Sequence, residues 1–252
     1  MPTGVDLAAV VGEQPYPQVF ATVSGAHLYG FPSRDSDVDL RGAHLLPVAD
    51  LIGLGEPTET RTAMWQRDGV ELDLVTHDLR TFVRLMLRRN GYVLEQLLSP
   101  LVVRTSAVHA ALVELAPAVL TRHHGHHYRG FAATQRRLFD RTGELKPLLY
   151  AFRALLTGVH LMRTGRVRAH LPTLCDVEPA PAYLADLVAA KRAAEHGALG
   201  DLVPRATLDR DLDALTARLE QVGQDTPLPD RPSGARDLDA LVVGARLAAF
   251  AG

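Results

Sequence analysis

The residues with the clearest chemical potential are three aspartates within five positions of one another. Asp35, Asp37 and Asp39 follow a glycine-rich turn in the stretch SGAHLYGFPSRDSDVDLRG, residues 24–42. Side chains alternate between the two faces of a β-strand, so on a strand beginning at Asp37 the carboxylates of Asp37 and Asp39 share a face. Like charges at that spacing repel unless a cation lies between them, and Mg²⁺ prefers carboxylate oxygens. The pair therefore predicts half of a metal site.

A third carboxylate is available in the segment VELDLVTHD, residues 70–78. On a strand there, Asp73 is presented on one face, and we expect this strand to lie beside the first. Three carboxylates on two adjacent strands hold two divalent ions about 4 Å apart in phosphoryl and nucleotidyl transfer. We therefore predict that Asp37, Asp39 and Asp73 are catalytic and bind two Mg²⁺ or Mn²⁺ ions.

Two nearby acids are assigned plainer roles. Asp35 precedes the strand, and we expect its carboxylate to accept loop N–H groups rather than bind metal. Glu71 shares a face with Asp73; it could act as a supporting base, but we favour a solvated acid at the strand edge.

The turn before the aspartates is a candidate phosphate site. Gly25 allows the backbone to approach a ligand closely. Successive N–H groups at a turn leading into a helix form a concave anion site, so Gly25 and Ala26 are predicted to hold phosphates.

Composition narrows the class of protein. The chain has 252 residues, 47% of them hydrophobic, and one cysteine, Cys175. These values exclude a disordered chain and an intramolecular disulfide. The N-terminus lacks a signal-peptide pattern and no apolar run approaches the roughly 20 residues of a membrane span, so we expect a soluble, cytoplasmic protein.

Charge is unevenly distributed along the chain. The formal net charge is −2, yet residues 121–170 hold ten Lys or Arg against two acids. This segment is predicted to meet a polyanion such as a nucleoside triphosphate or RNA, the alternative being a set of solvated helix faces.

Hydrophobic patterning predicts an α+β protein. Strands are expected at 18–24, 37–46, 60–66 and 69–76, the last two joined by a hairpin at Asp68-Gly69, in a small mixed sheet. Helical spacing begins at Asp78, with further helices near 91–98, 106–120, 124–141, 147–164, 181–197, 205–222 and 234–250, and a linker at 226–234. We predict a nucleotide-handling domain at 1–105 and an all-helical domain at 106–252.

The long string of motif residues resembles the polymerase-β-like nucleotidyltransferase superfamily. Its pattern is an apolar residue, Gly, then Gly or Ser, about ten residues, and Asp-x-Asp, with a third acid on a later strand. The wider string is similar to a predicted nucleotidyltransferase branch linked to RNA repair pathways, which the pairs Tyr29-Gly30, Asp35-Ser36 and Arg41-Gly42 all fit. Two later segments, 78–100 and 146–165, are similar to helices of that branch, so the resemblance covers about residues 20–170.

One position departs from the family pattern. Ala26 stands where the family usually has a serine whose hydroxyl helps hold the β- and γ-phosphates. The loss of one hydrogen bond costs about 0.5–1.5 kcal/mol. Ser24 or His27 are candidates to compensate; the alternatives are a weaker enzyme, another nucleotide pose, or binding without turnover.

The resemblance also implies basic residues of the helical domain at the triphosphate. Lys146, Tyr150 and Arg153 share one helical face, and with Ser24, Gly25 and Ala26 they complete the predicted nucleotide-binding set. A plain solvating or capping role is the alternative for the two bases.

Two clusters are less informative. The histidines of HHGHHYRGF, 123–131, favour a phosphate-facing or merely polar helix start over zinc, since no second ligand set lies at zinc spacing. Arg80, Arg84 and Arg88 form a stripe that is either an RNA-tracking surface or a solvated face.

Together these observations predict a metal-dependent enzyme that moves a nucleoside monophosphate from an NTP to a hydroxyl and releases pyrophosphate. The expected acceptor is an RNA end. The alternatives are a protein side chain, a small molecule, or a catalytically silent nucleotide-binding module. The expected partners are NTP and RNA, and the oligomeric state is not predicted.

Overall fold

The computed structural model describes residues 4–34, 36–193 and 202–251. Two compact units are distinguished: the first comprises 1–25, 37–119 and 231–252, and the second 26–36 and 120–230. The domain boundary near residue 105 stays a prediction. Asp35 and its expected role as a loop brace lie outside the described residues.

The first unit contains a five-stranded sheet of order β3-β4-β2-β1-β5. The strands are β1 (Gln18–Val23), β2 (Val38–His44), β3 (Thr60–Arg67), β4 (Val70–Asp78) and β5 (Val102–Arg104). β2 and β4 pair in parallel and the other neighbours are antiparallel. The predicted mixed sheet is therefore confirmed, as is the α+β class.

Twelve α-helices occur within the described residues. They are α1 (Leu7–Gly12), α2 (Gly25–Tyr29), α3 (Val48–Ile52), α4 (Leu79–Leu87), α5 (Gly91–Leu97), α6 (Ala107–Leu115), α7 (His124–Thr142), α8 (Leu145–Thr164), α9 (Leu171–Val177), α10 (Leu184–Ala193), α11 (Arg205–Asp225) and α12 (Ala235–Ala251), with a 3-10 helix at Ala116–Val119. None of these helices has both the length and the apolar character needed to span a membrane.

The hairpin between β3 and β4 turns at the predicted dipeptide. Asp68 and Gly69 both have positive φ, 50° and 77°. A two-residue turn with two positive φ values matches the twist of the flanking strands, which explains why Asp-Gly is favoured there. The hairpin prediction is confirmed.

The alternation of side chains along β2 and β4 separates the core from the acids. Val38, Leu40, Leu72 and Leu74 are fully buried and pack in one cluster with α1. Asp39 and Asp73 lie at the intervening positions and therefore point to the other face of the sheet. Burial of the apolar face thus fixes which way the carboxylates point.

The end of β4 is tied to the last helix by a buried carboxylate. Asp78 is fully buried; its side chain accepts hydrogen bonds from the backbone N–H groups of Arg80 and Leu46 and pairs with Arg246 of α12. Arg246 also donates to the Leu46 carbonyl at 2.7 Å. The C-terminal helix, for which the sequence offered no motif, therefore belongs to the first unit.

In the second unit, α8 is the central helix. Nearly every residue from Leu145 to Met162 is buried, and α8 packs against α7, α9, α10 and α11. Gly158 lies at the contact with α11, where an added Cβ would lie 3.0 Å from the Leu219 side chain. The helix is apolar on most of its surface because it has neighbours on most sides.

The predicted helices and strands agree with the structure to within a few residues where the hydrophobic pattern repeats over a long segment. The exceptions are short: α1, α3, α9 and β5 were not predicted. The helix predicted at 181–197 is observed at Leu184–Ala193, and 194–201 lie outside the described residues. Segments of three to seven residues carry too few repeats for the period to be read.

Gly42 offers a test of how tightly β1 and β2 pack. A Cβ at Gly42 would lie 2.1 Å from the backbone oxygen of Phe20. We expect Gly42→Ala to lower the free energy of unfolding by about 1–3 kcal/mol, because neither backbone can yield without disturbing the ladder. Urea unfolding followed by circular dichroism measures this.

The matched control is Gly12→Ala, at the exposed end of α1, where an added Cβ meets no atom within 4 Å. It should leave the unfolding free energy nearly unchanged. Equal stability of the Gly42→Ala variant and the wild type would contradict the observed spacing of the two strands.

Candidate active site

Three carboxylates meet on the polar face of the sheet. Asp39 of β2 and Asp73 of β4 are direct partners in the parallel register, and Asp37 comes immediately before β2. One oxygen from each of Asp37, Asp39 and Asp73 lies within 4.8 Å of the other two. Because Asp37 lies two residues before Asp39 and Asp39 pairs with Asp73, the sheet itself assembles this acidic triad.

The triad suits a hard divalent cation. All three residues are half-buried, and the side chains of Asp39 and Asp73 are only 17% and 18% exposed. Among the described residues, the Asp37 carboxylate and Oδ1 of Asp73 have no hydrogen-bond partner, so these oxygens are available to a ligand. Mg²⁺ or Mn²⁺ takes oxygen ligands of this kind and would be held by Asp37, Asp39 and Asp73.

Arg41 lies against the triad and is the main residue that sequence reasoning omitted from the site. Its Nη2 donates to Oδ1 of Asp39 at 2.5 Å and to Oδ2 of Asp73 at 2.7 Å. Arg41 follows Asp39 by two residues on the same strand, so it occupies the same face. That spacing was a usable signal, although Arg41 was noted only as part of the family-like string.

The surroundings of Arg41 keep it charged. Burial by itself lowers the pKa of the guanidinium, but the Tyr92 hydroxyl and the Asp39 and Asp73 carboxylates outweigh burial and raise that pKa above its ordinary value. Tyr92 lies in the first turn of α5, and the side chain of Asn90, the N-cap of that helix, accepts the Tyr92 N–H at 3.0 Å. Tyr92 belongs to the segment 78–100, which is similar to a later segment of the family. This segment therefore helps to hold Arg41 in place through the Tyr92 hydroxyl.

Gly25 brings the backbone of the glycine-rich turn against the same carboxylates. Its φ is +58°, and a Cβ on it would lie 1.7 Å from Oδ2 of Asp39. The preceding residue, Ser24, donates its backbone N–H to the Asp39 carbonyl at 2.8 Å and has a fully buried side chain. Gly25 is thus placed at the triad, and its role in holding phosphate stays a prediction, as do those of Ser24 and Ala26.

The other predicted nucleotide-binding residues lie in the second unit. Lys146, Tyr150 and Arg153 share one face of α8, as the spacing predicted. Arg153 is 2% exposed, and its guanidinium lies 3.9 Å from the centre of the Tyr29 ring, which Tyr150 meets edge-on. Arg153 therefore stabilises the C-terminal end of α2 through a cation–π contact. Contact of the three residues with a triphosphate stays a prediction.

The histidine cluster at the start of α7 does not gather ligands. Within the part of the chain that the structure describes, the acidic triad is the one group of three or more potential metal ligands that come together. His124 is buried, whereas the rings of His123 and His126 are tilted by 43° with their centroids 5.7 Å apart.

An acidic triad on a mixed sheet, with a glycine turn against it, is the arrangement expected of the polymerase-β-like nucleotidyltransferase superfamily. Residues 3–244 match the RlaP family, described as the RNA repair pathway DNA polymerase beta family, and the chain belongs to that family. The resemblance noted in the sequence is thereby confirmed.

Two individual proteins are similar to this chain. An uncharacterised protein of Methanocaldococcus jannaschii is 29% identical over 157 residues, which are 60% of this chain and 63% of that protein, so the match spans less than two thirds of the relative. A nucleotidyltransferase-like protein from Exiguobacterium sibiricum is 13% identical with a TM-score of 0.35, covering 88% of this chain and 75% of its own. A similarity of that size adds nothing to the family assignment.

Gly25 provides a test of the site that separates geometry from backbone strain. Gly25→Ala places a methyl group where Oδ2 of Asp39 lies, so the carboxylate must move. We expect Mn²⁺ binding, measured by titration calorimetry, to weaken at least roughly tenfold, as happens when groups that orient ligands are removed.

Gly69→Ala is the matched control. Gly69 also has positive φ, +77°, but an added Cβ there meets no atom within 4 Å. Both substitutions carry the same kind of backbone penalty, about 1–2 kcal/mol, and only the first should affect Mn²⁺ affinity. Equal affinities in the two variants would argue against the triad as the metal site.

Proposed function

We propose that the protein transfers a nucleoside monophosphate from an NTP to a hydroxyl group and releases pyrophosphate. The observation that carries this proposal is the triad of Asp37, Asp39 and Asp73 within 4.8 Å, with Gly25 in contact with Asp39. Membership of the RlaP family supports it, since that family is described as polymerase-β-like.

The reaction forms one bond and breaks another at the α-phosphorus. The acceptor oxygen bonds to the α-phosphorus, and the bond from that phosphorus to the pyrophosphate oxygen breaks. A divalent ion bound to the triad supplies charge neutralisation for the developing negative charge on the phosphate oxygens. Asp37, Asp39 and Asp73 would hold that ion at the sheet, and the backbone N–H groups of Gly25 and Ala26 are the proposed phosphate contacts.

A proton must leave the acceptor hydroxyl during the transfer. Oδ2 of Asp73 is bonded to Arg41 at 2.7 Å, whereas Oδ1 has no hydrogen-bond partner among the described residues. The free oxygen is therefore the candidate proton acceptor, and Arg41 fixes the other oxygen of the same carboxylate. General-base help of this kind contributes about 10²–10⁴-fold to a rate.

We propose an RNA end as the acceptor. The family description, which names an RNA repair pathway, supports this choice. The basic segment 121–170 supports it less than its composition indicates, because four of its arginines pair with carboxylates in the second unit. These are Arg122 with Asp230, Arg129 with Glu220, Arg136 with Asp209 and Asp213, and Arg163 with Glu178.

The decisive experiment supplies each α-labelled NTP with Mg²⁺ or Mn²⁺ and offers RNA, total protein, or no acceptor. Label on RNA supports the proposed acceptor, and label on protein would move the proposal to protein modification. Tight NTP binding without label transfer in any mixture would make the protein a binding module and end the enzyme proposal.

Asp73→Asn tests the role of the free oxygen. The amide keeps the size of the side chain but cannot take up the proton, so we expect the rate of label transfer to fall by about 10²–10⁴-fold. NTP binding, measured by fluorescence titration, should change far less than the rate.

Glu71→Gln is its control. Glu71 lies two residues earlier on β4 and is exposed, so its loss of charge should leave the transfer rate within about twofold, as expected for a surface change. Comparable losses of transfer rate in both variants would show that any negative charge on β4 contributes to the rate. Asp73 would then not be the proton acceptor.

Salt dependence tests the class of acceptor. Binding of an RNA backbone releases counterions, so transfer to RNA should fall steeply between about 50 and 200 mM salt at subsaturating RNA. Transfer to a small-molecule hydroxyl under the same conditions is the control and should change little. A flat profile with RNA would contradict backbone recognition.

A further inference from the structure

We propose that Arg41 takes the place of one of the two metal ions expected for this site, so that the protein works with a single divalent ion. The inference rests on the proposed function, because it concerns the same three carboxylates. It revises the expectation of two ions that the sequence raised.

The position of the guanidinium is the first reason. Nη2 lies 2.5 Å from an Asp39 oxygen and 2.7 Å from an Asp73 oxygen, so it bridges two strands through their carboxylates. A bridge between these two acids is what a cation shared by β2 and β4 provides. Arg41 already supplies that cation from within the chain.

The second reason is that Arg41 is held from every side. Its Nη1 donates to the carbonyls of Leu40 at 3.0 Å and Asp73 at 2.6 Å, and its Nε donates to the Tyr92 hydroxyl at 3.3 Å. With the two bonds of Nη2, all five N–H donors of the guanidinium are used. Displacement by an ion would leave these groups unpaired in a setting where the Arg41 side chain is only 9% exposed.

The third reason is charge. Three ionised carboxylates carry −3, and a permanently charged arginine reduces the formal charge of the site to −2. In the site without nucleotide, one divalent ion neutralises that charge. A second ion would have to bind beside the guanidinium, with like charges repelling across a few ångströms.

Oxygens remain for one ion. Arg41 uses Oδ1 of Asp39 and Oδ2 of Asp73, which leaves the Asp37 carboxylate without a hydrogen-bond partner among the described residues. The Asp37 carboxylate and Oδ1 of Asp73 thus remain the open oxygens of the triad, and Arg41 acts as a positioning residue that orients Asp39 and Asp73.

The test uses Mn²⁺ and electron paramagnetic resonance on the full chain with the α,β-methylene analogue of ATP. Two Mn²⁺ ions about 4 Å apart couple magnetically, whereas a single ion gives an uncoupled six-line spectrum. We expect the uncoupled spectrum and one protein-bound Mn²⁺ in the wild type. A coupled spectrum in the wild type would overturn the inference whatever the variants do.

Arg41→Gln removes the built-in cation. Without nucleotide, it should bind Mn²⁺ roughly tenfold or more tightly than the wild type, because one positive charge has left the site. Arg41→Lys keeps the charge and should bind Mn²⁺ as the wild type does. Weaker or equal binding by a folded Arg41→Gln variant, checked by circular dichroism, would also overturn the inference.

Failure of this inference and failure of the proposed function are separate results. Label transfer with a coupled two-ion spectrum would keep the nucleotidyltransferase and remove the role of Arg41. Absence of label transfer together with tighter Mn²⁺ binding by Arg41→Gln would keep the role of Arg41 and remove the proposed reaction.

Discussion

Repulsion between carboxylates is the constraint on which this structure depends. Parallel pairing of β2 with β4 makes Asp39 and Asp73 direct neighbours, and Asp37 adds a third negative charge. Like charges opposed on adjacent strands are destabilising. Arg41 offsets this within the chain, and its five hydrogen bonds show how much of the local structure is organised to keep it there.

The rest of the first unit can be understood as support for that cluster. The apolar face of β2 and β4 packs against α1, so the acids lie on the opposite face of the sheet. Asn90 caps the N-terminus of α5, in whose first turn Tyr92 lies beside Arg41. The close approach of Gly25 to Asp39 restricts the carboxylate from the other direction. Precise placement of charged groups therefore comes from backbone packing, which is rigid, more than from the side chains themselves.

Much of the fold followed from pattern. The two-residue periodicity predicted β1 to β4 because that pattern repeats along each strand. Asp68-Gly69 predicted the hairpin between β3 and β4 because its turn requires positive φ. Long helices such as α8 were predicted for the same reason. The short α1, α9 and β5 were missed, since the stability of such segments comes from packing on their neighbours rather than from their own sequence.

The sequence by itself determined the three acids, the glycine turn and the family, because spacing along a strand decides which side chains share a face. Only the tertiary structure decided that Arg41 joins Asp39 to Asp73, since that contact requires knowing which strands are neighbours and in what register. It also decided that Arg246 of the last helix pairs with Asp78 of β4, far away along the chain. Periodicity is a local property, whereas the pairing of charges across strands depends on how the whole chain packs.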